Sequence, residues 1–138
     1  MQAESNQHPD KHIVLTGATG GIGQAAAAQL AATGAQLHLV GRNADKLTDL
    51  QNQVRQQSGN PNLFTYVADL AHQDEIHRLA EELNAALPRL DVLLNNAATF
   101  TPRCTTSPDG FELQYAVNQL SYVLLTERLL DKLRASAP

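Results

Sequence analysis

Tryptophan is absent from this 138-residue chain, and cysteine occurs once, at Cys104. A lone cysteine excludes a disulfide framework and a cysteine-based zinc site. A reducing, cytoplasmic setting is the simplest expectation. Charged residues make up only 17%, the net charge is −4, and the Lys and Arg residues are scattered. No basic stripe points to nucleic acid, and no basic amphipathic helix points to a membrane surface. No apolar run approaches the roughly 18 residues required to span a bilayer. Met1–Lys11 is polar, contains Pro9 and lacks the apolar stretch of a secretory signal, so 1–11 is expected to be a flexible tail. His72 and His77 are five apart, a poor spacing for one helix face, and His8 and His12 straddle the tail. No metal site is expected, and exposed histidines are the better account.

Hydrophobic residues make up 43%, which suits a single soluble domain over 12–138. Short apolar runs alternate with amphipathic segments. His12–Leu15, Leu37–Val40, Leu63–Ala68 and Asp91–Leu94 read as strands. Ile22–Thr33 reads as a helix with Ile22, Ala25, Ala26 and Leu30 on one face, stopped by Gly34. Asn43 can cap a second helix to about Gln57, with Leu47, Leu50 and Val54 inward. A third, Gln73–Ala86, shows Ile76, Leu79, Ala80, Leu83 and then Leu87 at helical spacing. A last helix is expected from about Gly110 to Ala135, with Ser107 and Pro108 as cap and first-turn residues. This order implies α/β architecture: a Rossmann-type parallel sheet, strand order 3-2-1-4, with helices on both faces.

Between the first strand and first helix lies Thr16-Gly17-Ala18-Thr19-Gly20-Gly21-Ile22-Gly23. Gly17 lets the chain turn sharply, Gly21 lets backbone approach a pyrophosphate, and Gly23 lets helix and strand pack closely. The helix start then offers unpaired N–H groups to phosphate. Gly17, Thr19, Gly20, Gly21, Ile22 and Gly23 are therefore candidate dinucleotide contacts. In NAD-binding units an acidic residue near the end of the second strand accepts from the ribose 2′-OH. Here that strand ends Val40-Gly41-Arg42-Asn43. A guanidinium pairs with a 2′-phosphate, so Arg42, with Asn43 beside it, favours NADP(H) over NAD(H). Without a ligand, Arg42 is simply a solvated residue at a helix start.

The glycine spacing resembles the signature of the short-chain dehydrogenase/reductase family. Asp69-Leu70 resembles the family's adenine-side pair, and Asn95-Asn96-Ala97-Ala98 its Asn-Asn-Ala-Gly motif. Asn118 resembles the Asn of its catalytic tetrad. Asp109-Gly110-Phe111-Glu112-Leu113-Gln114-Tyr115 and Leu124-Leu125-Thr126 resemble its retinol-dehydrogenase-like branch. The likeness spans about Lys11 to Pro138. It implies cofactor contacts at Asp69, Leu70, Asn96 and Ala97. Asp69 can also be a helix N-cap, and Asn96 can tie the strand end to its neighbour instead of supporting a ribose. Ala98 stands where the family has glycine, and its methyl group disfavours positive φ.

The family's Tyr-x-x-x-Lys is missing: Tyr66, Tyr115 and Tyr122 are followed four on by Leu70, Gln119 and Thr126. The family's Ser, Tyr and Lys lie beyond the position matching Pro138. The resemblance thus implies the cofactor-binding half of an oxidoreductase, truncated and inactive alone, leaving Asn118 as the one tetrad residue. The full-length form would exchange hydride between nicotinamide and a small carbonyl or alcohol. A non-catalytic nucleotide- or partner-binding module is the alternative. The apolar last helix suggests homo-oligomer formation or other association through that surface.

Overall fold

The computed structural model of the chain describes residues 7–138, so part of the expected tail, 1–6, lies outside the described residues. The elements run β1 (His12–Thr16), α1 (Gly21–Ala32), β2 (Gln36–Gly41), α2 (Ala44–Ser58), β3 (Leu63–Val67), α3 (Gln73–Ala86) and β4 (Val92–Leu94). A short helix α4 (Leu113–Tyr115), a π-helical turn (Ala116–Leu120) and α5 (Ser121–Ser136) follow. The strands pair in parallel in the order β3-β2-β1-β4. That is the order expected when right-handed crossovers place helices on both faces.

Helices lie on both faces, so the central strands β1 and β2 are buried almost throughout, while the outer β3 and β4 leave Phe64, Val67 and Val92 partly exposed. Ile13, Leu15, Leu37, Leu39 and Leu63 pack with Leu47, Leu50 and Val54 of α2 and the small residues of α1. Val14 and Val40 point the other way, onto Ile76, Leu79 and Leu83 of α3 and Leu125 and Leu129 of α5. Asn60 is buried and joins two connections: its amide donates to the carbonyls of Ala31 and Ala35.

Helix α1 turns only part of its expected face inward: Ala26 and Leu30 pack against the core, whereas Ile22 and Ala25 are exposed. Ile22 is 79% exposed, while Gly23, Ala27 and Ala31 are buried. Small side chains at four-residue spacing let the helix lie close to the sheet, and the bulk of Ile22 is left outside. The last helix also departs from expectation. It starts at Leu113 and is capped by Glu112, whose carboxylate accepts from the N–H groups of Gln114 and Tyr115. Ser107 and Pro108 belong to a separate turn before it. The helix is interrupted where the Ser121 N–H reaches back five residues to the Ala116 carbonyl.

His8 is exposed as expected, but the other histidines are not. His38 of β2 is buried, and His72 and His77 are half-buried. His38 shares a 3.2 Å hydrogen bond with His12 of β1, and the Tyr66 hydroxyl of β3 lies 3.3 Å from its other ring nitrogen. Phe64 stacks on the same imidazole, with ring centroids 4.9 Å apart. Burial, and then the neighbouring His12, push the His38 pKa down to about 4. Between pH 6.5 and 4 the unfolded chain therefore binds a proton that the folded chain refuses. Stability is complete above about pH 6.5 and is expected to fall by roughly 3 kcal/mol as pH drops to 4. Asp91 acts in a separate, lower window. Burial raises its pKa, but hydrogen bonds from Arg89, the His12 N–H and Lys11 outweigh that and hold it at about 2. Denaturant titrations at pH 7.0 and 4.5 check the first window, and a flat profile there would contradict the role of His38.

Candidate functional site: a cleft at the switch point of the sheet

The chain reverses its direction of sheet growth between β1 and β4, and in such sheets this is where a crevice opens beyond the strand ends. A cleft of about 630 Å³ lies there. Its floor is the glycine turn. Gly17 has φ +64°, and a Cβ on it would meet the Ala97 Cα at 2.6 Å and the Ala97 nitrogen at 2.9 Å. A Cβ on Gly23 would run into the Gly17 carbonyl and lie 2.9 Å from the Ala18 Cα. Gly21 differs: a Cβ there would meet nothing within 4 Å, because it faces the open cleft. No side chain caps α1. Its first N–H groups lack intrahelical acceptors and face a space that suits a pyrophosphate.

Thr16 fixes the turn to the end of β4. It is fully buried, and its hydroxyl donates to the Leu94 carbonyl at 3.3 Å. The same oxygen accepts from the N–H groups of Asn96 (3.0 Å) and Ala97 (3.1 Å). The hydroxyl thereby uses its donor and both lone pairs. The Asn96 amide donates to the carbonyls of Thr16 and Gly17 at 3.1 and 3.2 Å. Asn96 thus ties the strand end to its neighbour. Tyr122 braces the next residue, its hydroxyl donating to the Ala97 carbonyl at 2.6 Å, and burial raises its pKa. Ala98 is exposed, and no non-glycine residue among those described has positive φ. The methyl that replaces the family's glycine therefore strains no backbone.

The other expected residues divide into those on the cleft and those off it. Gly17, Thr19, Gly20, Gly21, Ile22, Gly23, Arg42, Asp69, Leu70, Asn96 and Ala97 line it. Asn43 does not, and its carboxamide oxygen instead caps α2 by accepting from the Lys46 N–H at 2.9 Å. Asp69 does not cap α3, and its carboxylate closes a local turn by accepting from Ala71. Asn118 sits on the π-helical turn, where its carboxamide accepts from the Thr99 N–H at 2.8 Å and donates to the Thr99 carbonyl at 2.9 Å. It orders the segment after β4 and does not bond to its own helix.

Lys46 was not anticipated. It lines the cleft with Arg42, and among the described lining residues Asp69 is the one carboxylate. A signal for it exists in the sequence. A lysine in the first turn of a helix opposes the helix dipole, which favours anions there.

The chain matches the family model described as short chain dehydrogenase over residues 11–137. It belongs to that family. It is 39% identical over 130 residues to retinol dehydrogenase 13 of Mus musculus, covering 94% of this chain and 39% of the relative. Retinol dehydrogenase 11 of Mus musculus is 37% identical over 132 residues, 96% of this chain and 42% of its own. The chain therefore spans about two-fifths of the length of these curated relatives. Among solved structures, the Pseudomonas aeruginosa RhlG/NADP active-site complex superposes with a TM-score of 0.83 at 28% identity, covering 99% of this chain and 53% of that one. The match to retinol dehydrogenases agrees with the branch that the segment from Asp109 to Thr126 resembles. No helix among the described residues is long and apolar enough to cross a membrane.

Proposed function

We propose that this chain is the cofactor-binding part of an NADP(H)-dependent short-chain oxidoreductase acting on a small carbonyl or alcohol. The observation that carries the cofactor choice is the pairing of Arg42 and Lys46 on the cleft wall, where β2 ends without a carboxylate. The two cations suit a 2′-phosphate, and a ribose 2′-hydroxyl would leave them unpaired. The similarity to the Pseudomonas aeruginosa RhlG/NADP complex supports the same choice. Asp69 and Leu70 would border the adenine, and Thr19–Gly23 the pyrophosphate. Asn96 and Ala97 would hold the nicotinamide side through the Thr16 node.

Nicotinamide, when bound, supplies or takes up the hydride. This sequence contains no Tyr-x-x-x-Lys to move the accompanying proton. Asn118 would keep the segment after β4 in place and would not catalyse by itself. No turnover is expected from these 138 residues alone. Cys104 is a free, exposed thiol, which suits a reducing cytoplasm. Association through the surface of the last helix is part of the same proposal, with Val123 of α5 46% exposed.

The test is protection of the chain from heat by NADP+ and NAD+ at equal concentrations. A ligand that binds only the folded state stabilises it in proportion to the logarithm of its saturation ratio. NADP+ is expected to bind at least about tenfold more tightly, a difference of about 1.4 kcal/mol. Equal protection, or better protection by NAD+, would overturn the NADP(H) assignment. No protection by either would overturn the dinucleotide reading itself.

A further inference from the structure

The segment from Thr105 to Leu113 folds into a closed clip. Thr106 and Glu112 form an antiparallel bridge, and the Leu113 N–H donates to the Thr105 carbonyl at 2.7 Å. At the tip, the Ser107 N–H donates to the Phe111 carbonyl and the Gly110 N–H to the Ser107 carbonyl. Gly110 has φ +87°, and Ser107 is buried with its hydroxyl accepting from the Phe111 N–H. This internally bonded turn holds Asp109 at its apex.

Helix α3 begins at Gln73 with no side-chain cap from His72, the residue before it. The cap arrives from the clip. The Asp109 carboxylate accepts from the Gln73 N–H at 2.8 Å, across 36 residues of sequence. A carboxylate there also suits the positive end of the helix. Pro108, next to Asp109, lines the cleft with Leu70 and Ala71. On its other side the clip borders a hollow of about 320 Å³, where Asp109 and Phe111 face the same Leu70 and Ala71. The clip is a partition, and the bond from Gln73 to Asp109 pins it to the start of α3.

We propose that Asp109 is a positioning residue for the adenine side of the cofactor cleft, holding Pro108, Leu70 and Ala71 as one wall without touching the cofactor. This rests on the dinucleotide reading above. The probe is adenosine 2′,5′-bisphosphate, which carries the adenine and 2′-phosphate without nicotinamide. D109A is expected to weaken its binding about five- to tenfold, because binding would have to re-form the wall at a cost comparable to a helix cap. D109N is expected to restore binding to within about twofold, since asparagine caps as well as aspartate. Amide exchange at Gln73 should be faster in D109A and not in D109N. Should D109A fail to fold, D109S, with a shorter acceptor, takes its place. Unchanged binding by D109A, or equal weakening by D109N, would overturn the proposal. If the wild-type chain does not bind the probe, the dinucleotide reading fails. Exchange at Gln73 would then still show whether the latch exists.

Discussion

Replacing Gly17 with alanine is expected to cost about 3 kcal/mol of stability or more and to lower Tm by roughly 10 °C. Two costs combine. The residue holds φ +64°, where a side chain is disfavoured by about 1–2 kcal/mol. The added methyl would also press on the Ala97 backbone at 2.6 Å from its Cα. That neighbour cannot step aside, because its own N–H is bonded to Thr16 and its carbonyl to Tyr122. Gly21→Ala is the matched control. Its φ is ordinary and nothing lies within 4 Å of the new Cβ, so its stability should change by less than about 1 kcal/mol. It should nevertheless weaken NADP+ binding, because the methyl would occupy the cleft. Thermal melts of the two variants, with and without NADP+, separate a structural glycine from a ligand-facing one. Equal Tm losses would refute the distinction.

Arg42→Asp is expected to reduce NADP+ affinity about 100-fold and to improve NAD+ binding relative to it. A charge-assisted hydrogen bond to an anion is worth about 1.5–3 kcal/mol, and a carboxylate in its place adds repulsion. Arg42 and Lys46 are both exposed, so the loss should shrink as salt is raised. Lys46→Ala leaves Arg42 in place and should cost about fivefold. Isothermal titration with both cofactors at two ionic strengths checks direction and screening together. An unchanged NADP+ to NAD+ ratio in the Arg42→Asp variant would remove the 2′-phosphate assignment.

The sheet order was legible because each strand is a short apolar run followed by a helical repeat, and crossover handedness leaves few ways to arrange such units. Leu47, Leu50 and Val54, and Ile76, Leu79 and Leu83, face inward as their spacing implies. The inner face of α1 was half legible: Ala26 and Leu30 pack inward as their spacing implies, but close packing put Gly23, Ala27 and Ala31 at its centre. His38 had a readable signal. It lies between Leu37 and Leu39 in a strand covered on both sides, where every position after Gln36 is buried. The π-helical turn at Asn118 and the Asp109 cap on α3 had none. Both depend on partners brought together only by the finished fold, Thr99 in one case and Gln73 in the other. Within the site, the glycine spacing exposed the floor, while Lys46 required weighing a lysine against the helix dipole.

The Thr16 node also has a kinetic side. Its bonds to Leu94, Asn96 and Ala97 bridge 78 to 81 residues. Closing so long a loop carries an entropic cost that must be met before any of these bonds can form. The first βαβ unit can pair β1 with β2 early, yet it lacks the contacts that hold the glycine turn against β4. The cleft is therefore expected to form late in folding. A chain emerging from the ribosome carries its whole glycine motif long before it has a shaped site for a dinucleotide.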